Sequence, residues 1–152
     1  MRLLLVGGGD RGLDLARDLA ADGHAVRVAS PSEDGRAAIE AAGAECWIGD
    51  PDRIESLRYA VDGVTVLLWC LAADQRPELH GSRLRMMLER TVDSTVRAVV
   101  YEAGGAHTEA GVTEMERARS TNTIPYATFP ADAPDWVAAA RAAIGDALGA
   151  KL

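Results

Sequence analysis

The sequence predicts a three-layer, doubly wound α/β fold with about six parallel strands. Three observations carry that prediction. Short apolar runs alternate with helical patterns about six times along the chain. The connections between them are short and rich in Gly, Asp, Ser and Pro. A glycine-rich turn, Gly7-Gly8-Gly9-Asp10-Arg11-Gly12, joins the first apolar run to the first helical pattern. Right-handed crossovers then favour the strand order 3-2-1-4-5-6.

The elements follow in order. Residues 2–6 are a leucine and valine run ending in glycine, and form the first strand. A helix follows at about 11–21, with Leu13, Ala16, Leu19 and Ala20 on one face, and stops at Asp22-Gly23. Residues 24–29 read as the second strand. Ser30-Pro31-Ser32 ends it and can cap a helix at about 33–42, which Gly43 terminates. Residues 44–48 are the third strand, and Gly49-Asp50-Pro51 turns the chain into a short helix at about 53–61. After Asp62-Gly63, residues 64–70 are almost continuously apolar, as expected of a central parallel strand covered on both faces. A longer helix is expected at about 81–95 and strand five at 96–101. Beyond Gly104-Gly105 come a helix at about 111–120, strand six at 123–129 and a last helix at 135–148, packed down by Trp136. Trp47 and Trp69 lie in strands and read as core.

This alternation uses up all 152 residues, so one domain is expected over 1–152. Hydrophobic residues at 48% against 26% charged can bury a real core. Asp plus Glu number 23 against 16 Lys plus Arg, a net charge of -7, which argues against nucleic acid or an anionic membrane as partner. No apolar run is long enough to span a membrane, and the first stops at Gly7, too early for a secretion signal; a cytoplasmic protein is expected. Cys46 and Cys70 make neither a disulfide framework nor a four-ligand zinc site, and no metal site is expected. Lys151 is the only lysine, so chemistry needing a lysine in the body of the chain is excluded.

The glycine turn has the spacing Gly7-x-Gly9-x-x-Gly12 and sits between a strand and a helix, where it can hold a dinucleotide. Gly7 permits the tight turn, Gly9 lets backbone approach a pyrophosphate, and Gly12 lets the helix pack close to the strand. The N–H groups of the first helical turn, at Asp10 and Arg11, face the same way, and the helix dipole favours phosphate there. The end of strand two is the adenosine ribose position. It carries Ser30 rather than a carboxylate. Ser30, Ser32 and Arg36 could bind a 2′-phosphate, with help from Arg11, whereas Glu33 and Asp34 oppose one. NADP is favoured over NAD. Asp50, after strand three, can accept from an adenine amino group, cap the following helix, or both.

The run Ala41-Ala42-Gly43-Ala44-Glu45, Gly49-Asp50-Pro51-Asp52, Ser56-Leu57 and Asp62-Gly63-Val64-Thr65-Val66-Leu67-Leu68 resembles the NAD(P)-binding Rossmann domain of atypical short-chain dehydrogenases. The nucleoside-diphosphate-sugar epimerase-like and NmrA-like proteins look most similar, and the whole resembles a small actinobacterial member. Strand five with its glycine loop, then Ile124-Pro125-Tyr126-Ala127-Thr128-Phe129-Pro130, extends the likeness over nearly the whole chain. The resemblance implies a reductase or an epimerase-like enzyme acting on a small-molecule substrate.

Four departures weigh against the usual hydride transfer. The loop is Gly-x-Gly-x-x-Gly, not the family's Gly-x-x-Gly-x-x-Gly, and also resembles the nucleotide-binding regulatory domains of potassium transporters. The catalytic tyrosine–lysine pair cannot exist with Lys151 as the only lysine. Tyr101-Glu102-Ala103-Gly104-Gly105 stands where the family places a catalytic serine or threonine. No large substrate lobe like that of extended members is expected within these 152 residues. A non-catalytic dinucleotide-binding regulatory or redox-sensor module is therefore the alternative.

In open α/β sheets, ligands bind beyond the carboxyl ends of the strands. The candidates there are Cys70 and Asp74 after strand four, Glu102 and His107 after strand five, and Phe129 and Pro130 after strand six, with His80 and Tyr101 as neighbours. Glu102 can serve as general base, orient a ribose hydroxyl, or cap the loop glycines. His107 can be an acid–base group or a surface histidine. Cys70 can be a reactive thiol beside the cofactor or a small buried hydrophobe. Met86, Met87 and Leu88 read as core or dimer interface, and exposed apolar helix faces are compatible with a homodimer.

Overall fold

The structure is a computed structural model and describes residues 1–150; Lys151 lies outside the described residues. Strands β1 (Arg2–Gly7), β2 (Ala25–Ser30), β3 (Glu45–Ile48), β4 (Val66–Cys70), β5 (Ala98–Ala103) and β6 (Tyr126–Pro130) alternate with helices α1 (Gly9–Ala21), α2 (Arg36–Ala41), α3 (Ser82–Thr91), α4 (Thr108–Asn122) and α5 (Trp136–Leu148). All strand pairs are parallel, and the order is β3-β2-β1-β4-β5-β6, as expected.

Period-two alternation in the central strands builds a core on each face of the sheet. Leu3 and Leu5 of β1, with Val66 and Leu68 of β4, pack on one face against Leu15 and Leu19 of α1 and Ala140 and Ile144 of α5. Leu4, Val6, Leu67 and Trp69 pack on the other against Leu84 and Leu88 of α3 and Met115 of α4. The buried stripe of α1 is Gly12, Leu15, Ala16 and Leu19, so it is centred on Leu15 rather than on Leu13 and Ala20. Trp136 is buried at the start of α5 and meets Phe129 edge to face, with ring centroids 5.2 Å apart.

Among the boundaries that differ from expectation, three bear on the site. The helix expected at 53–61 is only a 3₁₀ turn, Ile54–Leu57. There the Ser56 hydroxyl engages the carbonyls of Asp50 and Arg53 and receives the Asp50 N–H, which holds the segment in tight turns. The helix after β2 begins as a 3₁₀ turn, Glu33–Gly35, capped by Ser32, and becomes α-helical only at Arg36. Strand β5 runs on to Ala103, so Glu102 belongs to the strand and not to the loop after it. That change decides its environment: Glu102 is buried beside Phe129 of β6.

Candidate functional site

The glycine turn lies at the carboxyl edge of the sheet beside the end of β4. Gly7 pairs with Cys70, and the Gly8 N–H donates to the Cys70 carbonyl at 2.9 Å. Packing explains two of the three motif glycines. A Cβ at Gly7 would overlap the Cys70 carbonyl oxygen and lie 2.7 Å from Leu71 Cδ2. One at Gly12 would lie 3.0 Å from the Gly7 oxygen and 3.1 Å from Leu5 Cδ2. Gly9 differs. It has φ +55°, and a Cβ there would meet no atom within 4 Å. Its outer side is open, and α1 starts at this residue with no side-chain cap. The N–H groups of that turn are thus available to an external acceptor.

A cleft of about 350 Å³ opens above this turn. Its walls are the glycine turn, Arg11, the segment from Cys70 to Asp74, and Glu102. Arg11 does not turn toward Ser30. Its guanidinium donates to the Ala131 carbonyl at 2.7 Å, sits 3.6 Å from Glu102 Oε2, and lies over the Trp136 ring at 5.2 Å. Both oxygens of Glu102 are engaged: Oε1 accepts the Ala72 N–H at 3.0 Å, and Oε2 accepts the Trp136 indole N–H at 2.7 Å. Asp74 on the rim is tied to Arg76, whose hydrogen bonds hold its carboxyl below the usual range. Burial, reinforced by the charge of Glu102, pushes the Cys70 thiol well above its ordinary value, so the thiol stays protonated.

A second cluster underpins the segment after β4. His80 is buried, with Nε2 3.0 Å from the Leu71 carbonyl and Nδ1 2.6 Å from the Tyr101 hydroxyl. A carbonyl only accepts, so Nε2 carries the proton and Tyr101 donates to Nδ1. Burial holds His80 below its ordinary value, and burial together with Glu102 pushes the Tyr101 phenol up to about 12. Both groups are neutral near pH 7. His107 lies beside this pair, its ring centroid 5.9 Å from that of His80, and its Nε2 donates to the Gln75 carbonyl at 3.0 Å. It does not line the cleft.

The remaining predicted residues lie apart. Ser30 is buried and its hydroxyl donates to the Ser32 carbonyl at 2.6 Å. Ser32 accepts the Asp34 N–H, and Arg36 is held by both oxygens of Glu33. These polar groups are engaged within their own loop. Asp50 accepts the Asp52 N–H at 2.9 Å in the turn after β3, and the 3₁₀ turn Ile54–Leu57 that follows has no side-chain cap. Asp10 is exposed in the first turn of α1 and contributes no wall to the cleft.

Trp136, Ala131 and Ala72 were not foreseen as part of this site. Ala131 and Ala72 act through backbone atoms, which carry no side-chain signal in a sequence. The sequence marks Trp136 only as a packing residue. Among the described residues there is no group of three or more potential metal ligands, and no helix is long and apolar enough to cross a membrane.

No protein-family model matches the chain, and no curated protein matches it in sequence. Solved structures match in fold. Pen from Bacillus thuringiensis superposes with a TM-score of 0.73 at 14% identity, over 85% of this chain and 49% of that one. Triphenylmethane reductase from Citrobacter sp., solved with NADP(H), gives 0.66 at 19% identity, over 84% and 48%. UDP-glucose 4-epimerase from Thermotoga maritima, solved with UDP-glucose, gives 0.67 at 12% identity, over 84% and 54%. Reductases and UDP-sugar epimerases are the neighbours that the sequence resemblance leads one to expect. The likeness is one of fold, and the chain spans about half the length of the structures it matches.

Proposed function

We propose that this chain is a Rossmann domain of atypical short-chain dehydrogenase type that binds a nicotinamide dinucleotide, with the pyrophosphate over Gly9. The observation that carries this is the contrast within the glycine turn. Gly7 and Gly12 are required by packing, whereas nothing in the fold occupies the space above Gly9. A glycine that packing does not require, opening an uncapped helix, suits a backbone approach to phosphate. The residues present fit the adenosine diphosphate part of such a group: the turn and the N–H groups of α1 would hold the phosphates, with the ends of β2 and β3 on the adenosine side. Bound, the dinucleotide would supply hydride chemistry.

Calorimetric titration of the purified chain with NADPH and NADH tests this. Micromolar binding of either supports the assignment. Gly9→Asp should abolish binding and leave the fold in place at some cost in stability, because the site has room for the side chain although φ +55° strains it. Unchanged affinity in that variant would remove the assignment.

At the adenosine 2′ end, NADP remains the proposed partner through Arg36. The Glu33–Arg36 pair is solvent-exposed and therefore a weak tether, so Arg36 can exchange it for a phosphate. Arg36→Ala should then weaken NADPH more than NADH, and equal loss of both would sink this choice.

A second reading, binding without chemistry, is favoured by the state of the candidate catalytic groups. Glu102 has both oxygens engaged, Cys70 stays protonated, Tyr101 is buried on His80, and His107 stands outside the cleft. Such an arrangement suits a regulatory or sensing module better than a general acid or base.

A further inference from the structure

The strand order β3-β2-β1-β4-β5-β6 puts two sets of loops on opposite sides of the glycine turn. Ser32 and Arg36, the residues for an adenosine 2′-phosphate, follow β2 on one side. The cleft opens on the other, along the segment after β4, and no residue at the end of β2 or β3 lines it. Arg11 belongs to the cleft side. It lines the cleft, and its guanidinium is bonded to the Ala131 carbonyl, just beyond β6. From there it does not serve the 2′ position, which is the role its sequence position suggests.

Among the described residues lining the cleft, Arg11 is the only cation. The two acids there are already served: Asp74 by Arg76, and Glu102 by the N–H groups of Ala72 and Trp136. Arg11 is held more loosely. Its side chain is half-exposed, and its 3.6 Å to Glu102 Oε2 is too long for a hydrogen bond. Its hydrogen bond to Ala131 is open to solvent. Turning Arg11 away therefore leaves Glu102 both of its N–H donors, and the exposed contacts it gives up are weak ones.

A pyrophosphate over Gly9 brings two negative charges to the first turn of α1, where the helix N-terminus offsets only about half of one. Arg11 stands in that same turn, two positions after Gly9. A guanidinium can meet two phosphate oxygens with parallel N–H donors, and such charge-assisted pairs are the strong ones. We infer that Arg11 is a pyrophosphate-binding residue, which on ligand entry exchanges the Ala131 carbonyl for the diphosphate. It raises affinity for every dinucleotide without choosing between NAD and NADP, and leaves Arg36 to read the 2′-phosphate. The inference rests on the assignment of the glycine turn as a pyrophosphate site.

The test is calorimetric titration of the whole chain, Arg11→Gln and Arg11→Lys with NADH and NADPH, with urea denaturation alongside. Glutamine removes the charge and keeps an N–H donor for the Ala131 carbonyl; lysine keeps the charge. Arg11→Gln should weaken NADH and NADPH by the same factor, about tenfold or more, at a urea midpoint close to the parent's. Arg11→Lys should recover a large part of that loss, because lysine still meets phosphate as a point charge. A loss for NADPH exceeding that for NADH by about threefold or more would assign Arg11 to the 2′-phosphate and overturn the inference. Unchanged affinity for both, whatever the urea midpoint does, would make Arg11 a structural tie to Ala131 and overturn it as well. So would an Arg11→Lys variant as weak as Arg11→Gln, since the charge would then not be what the ligand meets. Each of these results leaves dinucleotide binding by the parent standing. If the parent binds neither NADH nor NADPH, the assignment of the glycine turn falls, and the inference with it.

Discussion

Gly111 lies inside α4, where helix propensity alone favours alanine by about 1 kcal/mol. The tertiary structure reverses that expectation. A Cβ on Gly111 would overlap the Tyr101 hydroxyl oxygen and Cζ, and would lie 2.7 Å from Cε2, where about 3.5–4.0 Å is optimal. Tyr101 has no exposed surface and its hydroxyl is bonded to buried His80, so the ring has nowhere to go. Overpacking costs about 1–3 kcal/mol. Displacing the phenol leaves His80 Nδ1 without its donor, for about 1–3 kcal/mol more. Set against the propensity gain, Gly111→Ala should destabilise the chain by about 1–5 kcal/mol. Urea denaturation followed by tryptophan fluorescence would read this as a lower midpoint at unchanged slope. A double-mutant cycle with Tyr101→Leu should show coupling of similar size, because without the ring the alanine meets no obstacle. If Gly111→Ala is as stable as the parent, or more so, the assignment of Tyr101 and His80 as a rigid support beneath the cleft is refuted.

Two further predictions concern stability. His80 is depressed by burial from its ordinary value of 6.5, so the unfolded chain binds a proton that the folded chain resists. Stability should be full above pH 6.5 and fall as pH drops below it; in a His24→Gln background, since His24 is depressed too, adding His80→Gln should flatten that loss, and an unchanged slope in urea midpoints would count against it. Thr123 closes α4 with φ +57°, a conformation that costs a β-branched residue about 1–2 kcal/mol, and its side chain is exposed. Thr123→Gly should raise the melting temperature by roughly 2–4 °C, about 1 kcal/mol in a chain of this size, and a lower melting temperature would show that the strain is not there.

The sequence by itself determined the sheet, its strand order and the place of the glycine turn. Those features follow from local periodicity and from the handedness of crossovers, both written in consecutive residues. Leu3 to Val6 alternate between two cores, and Gly7 and Gly12 stand where backbone meets backbone. Tertiary structure alone decided what the polar residues do. Glu102 could be read as a base, a ribose ligand or a loop cap. Its role follows from strand β5 running two residues further than expected, which buries the carboxylate between Ala72 and Trp136, 30 and 34 positions away in the chain. Ser30 and Arg36 are the exception, engaged by Ser32 and Glu33 only two and three residues along the chain. Tyr101, at the end of strand five, and His80, at the opening of the long helix, are both expected beside the site, and the structure brings them into contact with each other. Local pattern sets where a residue lies along an element. Which donor meets which acceptor depends on contacts between distant segments, and burial then makes each such pairing costly to break.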